Sequence, residues 1–299
     1  MIRWASGLRL CSIAKTEQRS GEARPGGDDS VVVMTEDSLL RIDGVCVSFG
    51  GLDVLSDVSI DMPSSGVLGV IGPNGAGKTT LFNVICGFVR PRKGSMTFAG
   101  KPLRGHRPHD LADAGIARTL QGLGLFSRLT VLENVIAGTT HRSRTGPIGA
   151  LLASPWAQRD ESRLRTDALE VMASLGIADD ANRMCASLPY GGRKRVALAR
   201  ALVSQPRLLM LDEPAAGLSA PEMSEVAEII RGLRGRTAVM LVEHNMDFVM
   251  DLCESLVVLD FGQVIARGTP TEVRNDPAVQ RAYLGEPIDT TAPVGGDHA

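Results

Sequence analysis

Short apolar runs alternate with longer amphipathic segments over much of the chain. The apolar runs have the length and continuity of strands buried on both faces of a sheet, and the amphipathic segments have the apolar spacing of helices. This alternation predicts an α/β fold in which helices cover both faces of a parallel sheet. The predicted strands are residues 67–71, 208–211 and 237–242, and the predicted helices are 78–88, 222–234 and 246–253.

Two further groups of strands accompany this core. An antiparallel side sheet is predicted early in the chain, with Gly50-Gly51 as its first turn. A hairpin at 256–266, with its turn at Phe261-Gly262, is predicted to close the core. The strands predicted for the side sheet are 40–47, 54–62 and 94–98.

Residues 129–188 differ from both patterns, because apolar residues recur there at helical spacing. A patch rich in Gly and Pro interrupts them at 145–155. We therefore predict a helical insertion subdomain between the strands of the core.

Polar, Gly-rich composition sets the two ends of the chain apart. We predict that residues 1–36 form a disordered N-terminal extension, with a start at Met34 as a sharper hypothesis, and that residues 286–299 form a disordered tail. Residues 37–285 are then one domain.

Composition excludes several classes of protein. The formal net charge of −2 lacks the basic excess that usually accompanies nucleic-acid binding. Every apolar run is interrupted well before the ~20 residues that a membrane-spanning helix needs. The five cysteines are scattered without Cys-x-x-Cys spacing, which favours free thiols over a disulfide framework or a zinc site.

A glycine-rich segment between the first core strand and the first core helix fits the phosphate-loop pattern GxxxxGK[ST] at every fixed position. Such a loop turns its backbone N–H groups around a triphosphate, and the following helix N-terminus adds partial positive charge. We expect Lys78 to reach the β- and γ-phosphates and the Thr79 hydroxyl to bind Mg²⁺. The predicted nucleotide-binding residues of this segment are Gly72, Pro73, Asn74, Gly75, Ala76, Gly77, Lys78, Thr79 and Thr80.

Two carboxylates end the strand at 208–211. Asp212 is placed to hold Mg²⁺, directly or through water. Glu213 is placed to act as a general base on a water molecule aligned with the γ-phosphate.

Further motifs follow the phosphate loop in a fixed order. They are Gln121 in Ala-Arg-Thr-Leu-Gln, Leu188-Pro-Tyr-Gly-Gly192 before a predicted helix, Ala215-Ala-Gly-Leu-Ser219 after the carboxylates, and His244 in Val-Glu-His-Asn. With Phe49 upstream, this series resembles the ATP-binding cassette (ABC) family from about residue 39 to residue 285. The resemblance implies a P-loop NTPase (RecA-like) parallel-sheet core with an antiparallel β side sheet and a helical insertion.

The resemblance also implies roles for these residues. Gln121 matches the glutamine that binds Mg²⁺ and senses the membrane partner, and His244 matches the histidine that holds the attacking water. Phe49 matches the aromatic residue that stacks on adenine, for which a half-buried strand position is the alternative. Gly191 and Gly192 match the signature that contacts ATP bound to the opposite subunit.

The signature departs from the usual Leu-Ser-Gly-Gly-Gln at three positions, the last of which has Gly192 in place of the glutamine. Pro189 and Tyr190 replace its serine and first glycine, so the serine hydroxyl is missing and the amides of Gly191 and Gly192 remain to face an anion. A Pro-Tyr-Gly signature is similar to that of the ATP-binding subunits of branched-chain amino acid importers, as is the terminal segment 273–285.

The resemblance implies an ATPase that drives uptake of a small solute, with ATP and Mg²⁺ as cofactors. Its implied partners are transmembrane permease subunits, a second ATP-binding subunit (the same or a sister chain) in a head-to-tail dimer, and indirectly an extracytoplasmic solute-binding protein. No nucleic acid is expected, and the implied place is the cytoplasmic, inner face of the cell membrane. The alternatives are a soluble ABC ATPase of translation or DNA metabolism and the cassette of another transporter, for urea or amide uptake or for export.

Overall fold

The computed structural model describes residues 38–119, 123–142 and 155–284. Four predictions from the sequence lie outside the described residues: the extension at 1–36, Gln121, most of the Gly/Pro-rich patch, and the tail at 286–299. Among the helices within the described ranges, none combines the length and apolar character needed to cross a bilayer.

The side sheet has four antiparallel strands in the order β2-β1-β4-β5. The predicted strands and the turn at Gly50-Gly51 are confirmed, and Phe49 pairs with Leu52 across that turn. Its strands are β1 (Ser38–Phe49), β2 (Leu52–Pro63), β4 (Lys93–Phe98) and β5 (Lys101–Pro102).

The core sheet has six strands in the order β10-β9-β3-β8-β7-β6. All neighbours are parallel except β9 and β10, which form the predicted closing hairpin. The predicted α/β fold with a parallel core is therefore confirmed. The strands are β3 (Val67–Ile71), β6 (Ile116–Arg118), β7 (Leu208–Asp212), β8 (Ala238–Val242), β9 (Ser255–Asp260) and β10 (Gln263–Gly268).

Nine α-helices lie within the described residues. They are α1 (Lys78–Ile85), α2 (Leu111–Ala114), α3 (Val131–Ile136), α4 (Pro155–Ser174), α5 (Tyr190–Leu202), α6 (Ala220–Arg231), α7 (Met246–Leu252), α8 (Pro270–Asn275) and α9 (Pro277–Leu284). Short 3-10 turns at Ala137–Arg142, Ala178–Asp180 and Cys185–Ser187 belong to the same helical regions.

Strand alternation divides the core into two apolar clusters, one on each face of the parallel sheet. On β3, Leu68 and Val70 belong to the cluster that contains Phe82 of α1 and the side sheet. Val67 and Ile71 belong to the other cluster, which contains apolar residues of α3 to α7. Every residue of β3, β7 and β8 is buried, so these strands are held from both sides.

One buried amide fixes the backbone at the start of α3, where the helical insertion is predicted to begin. Asn134 of α3 is fully buried, and its Oδ1 accepts from the Phe126 N–H at 2.8 Å. Its Nδ2 donates to the carbonyls of Phe126 (3.0 Å), Leu129 (3.3 Å) and Thr130 (2.9 Å). The Asn134 side chain therefore provides hydrogen-bond partners for four backbone groups within residues 126–130.

Some predicted boundaries were wrong, for local reasons. Helix α1 ends at Ile85 and not at residue 88, because Cys86 caps it and Gly87 follows with a φ of 73°. Helix α6 begins at Ala220, before the predicted residue 222, because Ser219 and Glu222 form a capping box.

Candidate functional site

The phosphate loop leaves the buried end of β3 and leads directly into α1. Gly72 has a φ of 150°, and a Cβ atom there would lie 2.0 Å from the Leu259 carbonyl oxygen. The backbone of the loop therefore packs against β9 at a distance that only glycine allows. Gly75, at the tip, has a φ of 83° and open space around the Cβ position.

Lys78 lies inside this loop. Its side chain is almost fully buried (6% exposed), and Nζ donates to the carbonyls of Gly72 and Pro73, both at 2.7 Å. Burial lowers the pKa of the Lys78 ammonium, and the Glu213 carboxylate opposes that shift. Its hydrogen-bond partners are neutral carbonyls, so a phosphate anion would be a stronger partner for this charge.

Asp212 ends β7 beside the loop. Its carboxylate is 4% exposed and accepts from the Arg118 guanidinium at 2.8 Å. Arg118 ends β6 and also donates to Asn83 of α1 at 2.8 Å. No local sequence signal gives Arg118 a role, because its partner is 94 residues away along the chain.

Glu213 and His244 follow the ends of two neighbouring parallel strands, β7 and β8. His244 Nε2 lies 2.9 Å from Glu213 Oε1, so the two predicted catalytic side chains are in hydrogen-bond contact. Glu213 has a φ of 51°, which is uncommon for a residue with a side chain. The structure thus brings Lys78, Asp212, Glu213 and His244 to one edge of the core sheet.

A second glutamate, Glu243, accepts hydrogen bonds from backbone groups at this edge of the sheet. Glu243 is 3% exposed and accepts from the Ala215 N–H at 2.6 Å and the His244 N–H at 2.9 Å. Its Oε2 also accepts from the Asn245 N–H at 3.3 Å. Because these donors belong to the segments that follow β7 and β8, Glu243 ties the two segments together.

The signature region begins α5, with Pro189 as its N-cap residue in an extended conformation. The nearest side chain to a Cβ position on Gly191 belongs to Glu222 of α6. A Cβ atom on Gly192 would lie 3.5 Å from the Leu188 Cβ atom. None of the nearest atoms to these two positions belongs to the phosphate loop of the same chain.

Lys194 connects α5 to the segment that follows β7. Its Nζ donates to the carbonyls of Glu213 at 2.9 Å and Pro214 at 2.8 Å, and it lies 5.5 Å from the centre of the Tyr190 ring. Burial lowers the pKa of Lys194, opposed by Glu243 and Glu213. A lysine on a helix face gives no signal of such a contact in the sequence.

Two other predicted features have different outcomes. Phe49 lies at the end of β1 with 51% of its surface exposed, as the half-buried strand alternative describes, and the stack on adenine stays a prediction. Gln121 lies outside the described residues.

The last helix, α9, contacts the phosphate loop. Tyr283 is partly buried there, which raises the pKa of its hydroxyl, and a hydrogen bond with the Gly72 backbone opposes that shift. Pro73 to Ala76 and three residues of α9, Ala278, Arg281 and Ala282, line one cleft. The sequence indicated a short helix here and gave no reason to place it beside the loop.

Comparisons with known proteins agree with this arrangement. A family model described as ABC transporter matches residues 55–216. A second model, described as branched-chain amino acid ATP-binding cassette transporter, matches residues 263–289.

Two curated relatives and one solved structure illustrate the similarity. The chain is 40% identical over 250 residues to the high-affinity branched-chain amino acid transport ATP-binding protein LivG of Salmonella typhimurium, covering 83% of this chain and 98% of the relative. It is 35% identical, with the same coverages, to the lipopolysaccharide export system ATP-binding protein LptB of Haemophilus influenzae. The ADP conformation of MJ1267, an ATP-binding cassette of an ABC transporter, matches with a TM-score of 0.71 and 30% identity over 83% of this chain and 99% of that one.

A pair of alanine substitutions tests the close packing of the phosphate loop. We expect Gly72→Ala to lower the free energy of unfolding by about 3 kcal/mol or more, because backbone strain and overlap with a carbonyl combine. Gly75→Ala, which meets strain without overlap, should cost about 1 kcal/mol. Urea unfolding measures both, and equal losses in the two variants would contradict the account.

Proposed function

The chain belongs to the ABC transporter family and is an ATP-binding, ATP-hydrolysing cassette, and from this membership we propose that it powers an importer of branched-chain amino acids. The observation that carries the proposed mechanism is the Glu213–His244 contact beside Lys78. Phosphoryl transfer requires a phosphate cradle, a base and a group that holds the attacking water. All three have candidates at one edge of the sheet.

In the proposed mechanism the phosphate loop holds the triphosphate of ATP. The backbone N–H groups of the loop and the start of α1 face the phosphates, and Thr79 and Thr80 lie in the first turn of that helix. Lys78 exchanges its neutral carbonyl partners for the β- and γ-phosphates. Phe49 stacks on the adenine ring.

The residues present fit a magnesium ion by their chemistry. The Thr79 hydroxyl, the Asp212 carboxylate and the Gln121 side-chain carbonyl are hard oxygen donors, the type that Mg²⁺ prefers. When bound, the ion neutralises charge that develops on the β- and γ-phosphate oxygens. Asp212 is already fixed at the end of a buried strand, which limits the rearrangement that binding requires.

Hydrolysis needs a proton acceptor next to the water that attacks the γ-phosphorus. Glu213 takes that proton as general base. His244, in contact with the same carboxylate, orients the water and the γ-phosphate. Glu243 and Lys194 form hydrogen bonds with the backbone of the two segments that contain these residues.

ABC cassettes form dimers and act on transmembrane permeases, and this supports a specific assembly for this chain. Two cassettes, identical or sister chains, close head to tail so that Gly191 and Gly192 of each contact the ATP on the other. The predicted helical insertion at 129–188 presses on the permease subunits at the inner face of the cell membrane. An extracytoplasmic solute-binding protein delivers the solute to the permease.

The choice of solute is supported by the similarity to LivG and by the match of residues 263–289 to the branched-chain amino acid model. The relative LptB favours a second candidate, export of a lipid. A soluble ABC ATPase of translation or DNA metabolism has no comparable support among these relatives.

Glutamine at the general-base position separates binding from turnover. We expect Glu213→Gln to lower the rate of ATP hydrolysis by about 100-fold or more while ATP binding is retained, because the amide cannot accept the proton. Steady-state phosphate release and equilibrium ATP binding measure the two properties. Glu170→Gln, an exposed change on α4, is the matched control, and full hydrolysis by Glu213→Gln would rule out the assigned base.

Partners distinguish an importer from its rivals. We expect tagged Glu213→Gln protein, purified in detergent from its native membrane with ATP, to recover permease subunits, because trapped ATP keeps the complex closed. Mass spectrometry identifies the partners. Ribosomal or DNA-associated proteins without permeases would refute the proposal.

The solute is tested in cells that lack the wild-type chain. Wild-type protein should restore uptake of radiolabelled leucine, and Glu213→Gln should not. Recovery of permeases without restored uptake of leucine, isoleucine or valine would refute this solute and move the assignment toward another solute or toward export.

A further inference from the structure

We propose that Arg118 takes the place of the metal on Asp212 when nucleotide is absent, so that Asp212 exchanges the guanidinium for Mg²⁺ when Mg-ATP binds. This inference rests on the proposed role of Asp212 as a metal ligand. It assigns to Arg118 a function of its own: Arg118 sets how strongly ATP binding depends on the metal.

The Arg118 guanidinium is held from three directions. One terminal nitrogen donates to Asp212 Oδ2 at 2.8 Å and the other to Asn83 Oδ1 at 2.8 Å. Its Cζ lies 5.6 Å from the centre of the Phe82 ring. The side chain is 10% exposed, so this cation is fixed between α1, β6 and β7 inside the protein.

Without a cation beside it, Asp212 would be an isolated charge. Its side chain is 4% exposed, and an unpaired carboxylate at such a position is strongly unfavourable. Arg118 neutralises the carboxylate in the structure as it stands. This ion pair offsets the cost of burying the carboxylate.

Binding of Mg-ATP changes which cation compensates the negative charge of Asp212. A divalent cation bound to the carboxylate neutralises its charge. A guanidinium within hydrogen-bond distance of the same carboxylate then repels the metal cation. Arg118 retains a second hydrogen-bond acceptor in Asn83. It can therefore weaken its hold on Asp212 without losing every partner.

The opposite role, orienting Asp212 for the metal, makes a prediction of opposite sign. A group that orients a metal ligand strengthens metal binding, and removing it typically costs about 10–100-fold in affinity. A group that competes with the metal weakens metal binding, and removing it increases the benefit that the metal brings. The sign of the change on removing Arg118 decides between the two roles.

The test measures the metal dependence of nucleotide affinity. The slowly hydrolysed analogue adenylyl imidodiphosphate is titrated into each full-length variant with excess Mg²⁺ and, separately, with EDTA. The readout is the ratio of the EDTA dissociation constant to the Mg²⁺ dissociation constant. The variants are wild type, Arg118→Met, Asp212→Asn and the double variant.

We expect Arg118→Met to raise this ratio by about 5-fold or more, because the bare carboxylate repels phosphates without metal and binds metal more freely. In the Asp212→Asn background the same substitution should leave the ratio unchanged. A fall in the ratio for Arg118→Met, or no change, would overturn the proposal. Failure of Asp212→Asn to lower the ratio would instead contradict the metal role on which the proposal rests.

A control variant and a substitute variant complete this experiment. Arg142→Met breaks an ion pair with Asp167 at 3.1 Å in the helical insertion and should leave the ratio unchanged. If Arg118→Met does not fold, Arg118→Lys keeps a cation at the site but loses the planar fork that bridges Asp212 and Asn83. We expect a smaller rise in the ratio for Arg118→Lys, and an unchanged or lower ratio would overturn the proposal.

Discussion

The parallel pairing of β3, β7 and β8 is the constraint on which the rest of the site depends. Val242 of β8 pairs with Val70 of β3 on one side and with Asp212 of β7 on the other. The three strands therefore end at the same level, and the segments that leave them start side by side. The phosphate loop, Glu213 and His244 belong to those segments, and Asp212 is the last residue of β7. The pairing of the three strands is therefore enough to bring these residues together, and no long loop has to fold back to do so.

Buried charge is the second feature that organises this edge. Lys78, Asp212 and Glu243 are each less than 10% exposed. Each is paired within the protein: Lys78 with loop carbonyls, Asp212 with Arg118, and Glu243 with backbone N–H groups. Such pairs hold the backbone of the site in place before ligand arrives, which is the arrangement that electrostatic catalysis of phosphoryl transfer requires.

The sequence predicted most of the fold because its signals are local. A glycine loop between an apolar strand and a helix, and two acidic residues after another apolar strand, are recognisable within ten residues. Strand β6 was missed because three residues carry too little periodicity, and helix α1 was predicted too long because an apolar stretch continues past its cap. Arg118, Lys194 and Tyr283 were missed because each acts on a group that only the fold brings near.

The terminal helix shows why the site extends beyond the ordered motifs. Tyr283 reaches the Gly72 backbone from a segment that follows the whole core, and residues 263–289 match a model specific to one branch of the family. Phosphate loop, signature helix and terminal helix are therefore parts of one packed unit around the same sheet edge. We therefore expect a substitution in any of these three elements to alter the packing of the phosphate loop.

The central claim is that this edge of the sheet binds ATP through Lys78, and equilibrium titration of ATP into Lys78→Ala with Mg²⁺ tests it most directly. Lys101→Ala, which removes an exposed lysine from β5, is the matched control. The account predicts that Lys78→Ala lowers ATP affinity by about 100-fold, the loss expected when charge-assisted hydrogen bonds to phosphate are removed, while Lys101→Ala binds as wild type does. Wild-type affinity in a folded Lys78→Ala protein would contradict it.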